Sequence, residues 1–131
     1  MSEIKRHLAQ AEYNESFAEE IKHDHPDWAI VVLFYAALHH VDACMLKYGY
    51  KPENHEARFN AMAKIPALKG IYSDYRALSD YSRNARYDMK KFNTEDVTYA
   101  QENFYAAVKA AVKKDLEKKA EKKPVPKSSK S

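Results

Sequence analysis

PDWAIVVLFYAALHHVDACMLKYG (26–49) is the stretch on which the fold turns. Trp28, Ile30, Val31, Leu33, Phe34, Ala36, Ala37, Leu38, Val41, Cys44, Met45 and Leu46 leave it apolar on nearly every side of a helix, the pattern of a helix enclosed by others. Asp24 or His25 is placed to cap it and Pro26 takes the first helical position, where a missing N–H costs nothing. Gly49 ends it. Working outward, Ile4, Leu8, Ala11, Ala18 and Ile21 recur near the helical period behind a capping Ser2, with Tyr13 and Phe17 beside them, which predicts a helix over 2–22. After a turn over 50–54, Arg58, Phe59, Met62 and Ile65 predict a short helix that Pro66 ends. Past Gly70, the spacing of Ile71, Tyr75, Leu78 and Ala85, with Tyr72, Tyr81 and Tyr87 alongside, predicts a helix to about residue 88. Asn93 or Thr94 then caps a last helix whose apolar stripe is Val97, Ala100, Phe104, Ala107, Val108 and Ala111. Four long helices with one short connecting helix imply an all-α chain, an antiparallel four-helix bundle.

Composition agrees. The chain has 131 residues, of which 45% are hydrophobic, enough for one core. Only 2 glycines and 5 prolines occur, too few for the tight turns of sandwiches and barrels or for phosphate-cradling loops. The single cysteine, Cys44, rules out a disulfide framework or a multi-cysteine zinc site within one chain, and places the protein in a reducing compartment. Charges in the first turns, with no apolar run behind them, lead to the expectation that these residues are not a secretory leader. The longest uncharged run, 28–41, is too short for about 30 Å of hydrocarbon, so a soluble, cytoplasmic protein with no membrane contact is expected. The net charge of +3 is unevenly spread: from Lys113 onward eight lysines face three acids, a local +5 that leaves −2 for everything before it. Residues 1–116 are therefore read as the helical domain and 117–131 as a lysine-rich disordered tail. Such a tail is a solubilising end or a weak, sequence-blind screen for phosphates.

Several chemistries lack their residues. No glycine-rich nucleotide loop and no nucleophile elbow is present, and Cys44 lies on the apolar helix as a core residue. Glu20 and His23 make one Glu-x-x-His pair, but a di-metal bundle needs two. His23, Asp24, His25 and Asp27 are explained by capping and solvation, so no metal and no cofactor is expected. The informative stretch is RALSDYSRNARYD (76–88). On a helix Arg76, Asp80 and Arg83 share one face, so Asp80 can bridge both arginines as a plain surface network. Arg83 followed by Asn84, one turn before Tyr87 and with Arg86 and Arg76 on the same helix as further ligand-binding candidates, alternatively offers guanidinium forks, an amide and a phenol to one ligand, groups suited to phosphate and base edges. Among the ten tyrosines, Tyr35, Tyr72, Tyr75 and Tyr99 fall at apolar positions as core or interface residues, and Tyr81 and Tyr87 are the better candidates for a ligand or partner.

FYAALHHVDACM (34–45) resembles the second-helix signature of HEPN domains, small helical bundles named for higher eukaryotes and prokaryotes nucleotide-binding. SRNARYDMKKFNTEDVTYAQENFYAAV (82–108) is similar to their last helices, and the likeness spans about residues 2–115. The resemblance implies a homodimer in a defence or toxin–antitoxin setting, which binds RNA, a nucleotide or a partner protein from the same operon. In HEPN ribonucleases an arginine is followed four to six residues later by a histidine. Arg83 matches the arginine and Asn84 the polar residue behind it, whereas residues 88–90 are Asp, Met and Lys and no histidine follows His55. Metal-free RNA cleavage needs a group titrating near neutrality, so the expected function is a binding module whose ribonuclease activity is lost. The alternatives are a dimeric metal-independent endoribonuclease, in which Arg83 acts with His39, His55 or Tyr87, and a purely structural helical subunit docking through its tyrosines. His39 and His40 point about a third of a turn apart, so one faces the core. His39, which matches the family's second-helix histidine, is read as that buried structural residue, and His55 as a cap or surface salt bridge beside Glu53 and Glu56.

Overall fold

The chain is all-helical in a computed structural model, which describes residues 2–88 and 90–118. In order come α1 (Glu3–Ile21), α2 (Pro26–Lys47), α3 (His55–Met62), α4 (Pro66–Lys69), α5 (Tyr72–Tyr87), α6 (Thr94–Ala100) and α7 (Ala106–Lys118). A π-helical turn, Gln101–Tyr105, joins α6 to α7 without a break.

Local chemistry sets most boundaries. Ser2 Oγ accepts from the Lys5 amide at 3.2 Å and Asn54 Oδ1 from that of Ala57 at 2.8 Å. Asn93 and Asp96 form a reciprocal capping box at the start of α6. His25 is the residue before α2, but its side chain makes no capping bond and Pro26 starts the helix unaided. Gly49, at φ 84°, takes the left-handed conformation that turns the chain out of α2. The short connecting helix expected to end at Pro66 stops earlier, at Met62, and Pro66 instead opens a further four-residue helix at its first position. A regular last helix was also expected; the π turn replaces its middle.

α2 lies at the centre, packed by α1 along its length and by α5, α6, the π turn and α7. Its buried set of Ile30, Leu33, Phe34, Val41, Cys44 and Met45 meets Tyr75 and Leu78 of α5 and Val97, Val108 and Val112 of the last helices. Trp28, expected within this apolar surface, is exposed at the helix start. By length and composition α2 passes for a membrane span, although its longest uncharged run is short; 72% of that apolar window is buried inside the molecule, as in the core helix of a soluble protein. α7 carries the domain two residues past the expected boundary, to Lys118. The lysine-rich tail otherwise lies outside the described residues.

Candidate functional site

α5 is strongly amphipathic: Tyr75, Leu78 and Ser82 are buried, and Arg76, Asp80, Arg83 and Tyr87 line the opposite, exposed face. Asp80 pairs with Arg76 at 3.6 Å. Arg76 also reaches the Tyr72 hydroxyl at 3.4 Å and stacks over Phe59. Arg83 takes no part in this network and forms no ion pair or hydrogen bond with another described residue. The bridging role open to Asp80 is thus filled by Arg76 alone.

Around Arg83 the C-terminal end of α5 gathers further polar groups. Arg86 Nε–H donates to the Ser82 carbonyl at 3.3 Å and Nη1–H to the Tyr87 hydroxyl at 3.3 Å, and its guanidinium lies 4.8 Å from the Tyr87 ring centre. Tyr87 is nevertheless 70% exposed. The Asn84 carbonyl accepts from the amides of Asp88 and Lys90, which closes the helix and leaves its side-chain amide unengaged by described residues. The loop that follows is anchored where Asp27 Oδ1 accepts from the Phe92 amide at 2.8 Å.

His55 opens α3, stacks against Phe34 of α2, and feels both Arg83 and Arg86. Burial, then Arg58, Arg86 and Arg83, push its ionisation below the ordinary histidine value, against a smaller opposing pull from Asp42. One turn along, Arg58 is buried in a two-pronged ion pair with Asp42, Nε to Oδ1 at 2.7 Å and Nη2 to Oδ2 at 3.2 Å, while its Nη1 lies 3.5 Å from His55 Nδ1. The buried Tyr75 hydroxyl finds no hydrogen-bond partner among the described residues, although Arg58 and Asp42 both act on it electrostatically. The charges of three guanidiniums therefore act on the imidazole, and the carboxylate that opposes them, Asp42, is already committed to Arg58. Such a group attracts anions and holds a phosphate by charge-assisted bonds.

The other predicted positions fall elsewhere. His40, not His39, faces the core, with 5% exposure. Tyr105 O–H donates to Glu15 at 2.7 Å, so His40 must carry its proton on Nε2 to donate to Tyr105 at 3.0 Å, and its Nδ1 is left without a described partner. Burial, then Lys109, lower the His40 pKa to about 4, so it is neutral and unsuited to surface acid–base work. His39 is half-buried and meets His7, Nδ1 to Nδ1, at 2.9 Å, a contact in which one nitrogen carries the proton. Tyr81 packs between Phe92 and Phe104, which takes it from the ligand candidates to the packed interior, while Tyr99 is exposed rather than core. Cys44 is buried and donates to Asp115 at 3.4 Å; burial and that carboxylate raise its ionisation, so it is no nucleophile. No group of three metal-binding side chains occurs among the described residues.

Asp42 is the site residue that sequence reading missed. It carried a signal: a carboxylate within an apolar helix needs a cation. A cleft of about 600 Å³ between α1 and the π turn, lined by Glu15, Glu19, Leu33, Gln101, Tyr105 and Lys109, was also not foreseen. Its polar groups are paired with one another: Lys109 and Tyr105 hold Glu15, and Gln101 and Lys22 hold Glu19. No family model matches the chain, and no curated protein matches it.

Proposed function

We propose that the chain is an HEPN-like module that binds RNA or a nucleotide by its phosphate through the Arg83 end of α5, without cleaving it. In this reading α1, α2, α5 and the α6 to α7 helix are the four members of an antiparallel bundle, and α3 and α4 form the connection that carries His55 and Arg58. The observation that carries it is Arg83 itself: exposed, unpaired among described residues, and in company with Arg86, Asn84 and Tyr87. A surface arginine serving only stability would share Asp80 with Arg76. Homodimer formation, a cytoplasmic defence or toxin–antitoxin role and a partner protein from the same operon extend the reading on family likeness.

Binding of a labelled single-stranded RNA in chelator and low salt, followed by fluorescence anisotropy, tests it. Arg83→Ala is expected to weaken affinity on the order of tenfold, a lost charge-assisted phosphate contact, with an unchanged helical circular dichroism signal. Unchanged affinity refutes the site. A second reading, a metal-independent endoribonuclease, is favoured by one observation: Arg83 is among the cations whose charge acts on His55. Cuts in chelator that disappear in both Arg83→Ala and His55→Ala establish it in place of the first. A monomer in light scattering with no affinity for RNA or nucleotide leaves a structural helical subunit.

A further inference from the structure

Tyr87 is 70% exposed, yet its ring is held. Arg86 Nη1–H donates to the hydroxyl at 3.3 Å, and the guanidinium carbon sits over the ring, 4.8 Å from its centre. Arg86 is itself half-buried and tied back to α5, its Nε–H donating to the Ser82 carbonyl at 3.3 Å. No other ring stacks on Tyr87 among the described residues, so the face away from Arg86 is open. Tyr99, also exposed, is by contrast packed edge-on against Phe104 at 5.6 Å. Arg83 lies one turn before Tyr87 on the same exposed face, about 6 Å along the helix axis, without an ion pair or hydrogen bond to another described residue. The neighbouring acids leave the charge positive: Asp80 is taken by Arg76 at 3.6 Å, and exposed Asp88 is outnumbered by Arg83, Arg86, Lys90 and Lys91.

We propose that Tyr87 is a stacking platform for an unpaired nucleobase whose phosphate Arg83 holds, with Arg86 as the cation behind the ring. The inference rests on the Arg83 reading above and adds what the site selects. An aromatic face accepts any base, and a guanidinium on its far side adds a cation–π contribution, so the contact tolerates any sequence. A base within a duplex is covered on both faces by its neighbours and offers none to the ring, so single strands are selected. A ring already held by Arg86 loses little freedom when the base arrives. The Asp88 charge opposes the phosphate and leaves the stack untouched, because the stacked base is neutral.

The full chain is titrated by fluorescence anisotropy, in chelator at constant ionic strength, with three labelled probes: a 2′-O-methyl RNA strand, that strand annealed to its complement, and a sugar–phosphate strand of equal length without bases. Arg83→Ala should weaken all three alike, through the phosphate. Tyr87→Ala, a change at an exposed position, should weaken the single strand on the order of tenfold and leave the duplex and the base-free strand unchanged. Tyr87→Phe, which keeps the ring, should hold the single strand within about twofold of the parent. Unchanged single-strand affinity in Tyr87→Ala, with binding still lost in Arg83→Ala, overturns the inference while the Arg83 site stands. Equal losses for all three probes in Tyr87→Ala make the residue a support of the helix end and overturn it too. No binding of any probe by the parent chain removes both.

Discussion

Arg58 is buried and Asp42 largely shielded beside it, and their pairing helps decide how α3 sits on α2. Taking a guanidinium and a carboxylate out of water is costly, and the two-pronged geometry offsets that cost only while both partners are present. Asp42→Ala is therefore expected to destabilise the protein by about 3–5 kcal/mol, read as a shifted urea midpoint with unchanged slope. The double change Asp42→Leu with Arg58→Met should recover most of that loss, because no charge is left unpaired. A double variant as unstable as Asp42→Ala would show that α3 is held by something else. At this scale the sequence displayed the candidates without their partners. His39 and His40 illustrate it: helical geometry requires one of them to face inward, but the choice of His40 depends on the Tyr105 hydroxyl, 65 residues away.

The last helix shows how an element can keep two core faces that a regular period cannot join. Val97 and Ala100 are buried in α6, and Tyr105, Val108 and Val112 follow, so the step from Ala100 to Tyr105 is longer than one α-helical turn. The π turn Gln101–Tyr105 accommodates that surplus residue. Without the turn, Tyr105 would rotate off the core and leave both His40 and Glu15 without its hydroxyl. Deleting the exposed Glu102 should turn the segment into regular α-helix and keep both faces in register, at a stability cost of about 1 kcal/mol or less. Deleting the exposed Ala110, inside regular α7, should instead rotate Val112 and the buried Asp115 out of the core and abolish cooperative unfolding. Circular dichroism melts of the two deletions check this, and equal damage from both would remove the argument. The caps at Ser2 and Asn93 were legible because each is a bond between residues three apart. The π turn was not, since a buried tyrosine one place out of step has meaning only against a particular neighbour.

Across the whole molecule, acid is expected to loosen the fold. His40 is neutral when folded, with a pKa of about 4 against 6.5 for an ordinary histidine. As the pH falls below 6.5 the unfolded chain takes up a proton that the folded chain refuses, so stability drops until about pH 4, where the folded form accepts it too. The loss from this residue is on the order of 3 kcal/mol. His39 and His55, also lowered by burial, act in the same direction. So does Glu15, whose burial is outweighed by bonds from Lys109 and Tyr105 that hold its ionisation down. Urea titrations at neutral and acidic pH should show the decline, and His40→Gln should remove part of it; a parent stability unchanged down to the pKa of His40 contradicts the assignment. By itself the sequence determined where the chain is helical, that α2 is enclosed, and that Arg76, Arg83, Arg86 and Tyr87 share one helix, since caps and periodicity act between near neighbours. Only the tertiary structure decided that Asp42 of α2 holds Arg58 of α3 and that His40 of α2 meets the Tyr105 hydroxyl. These are contacts between elements, set by how buried faces pack, and no local spacing encodes them.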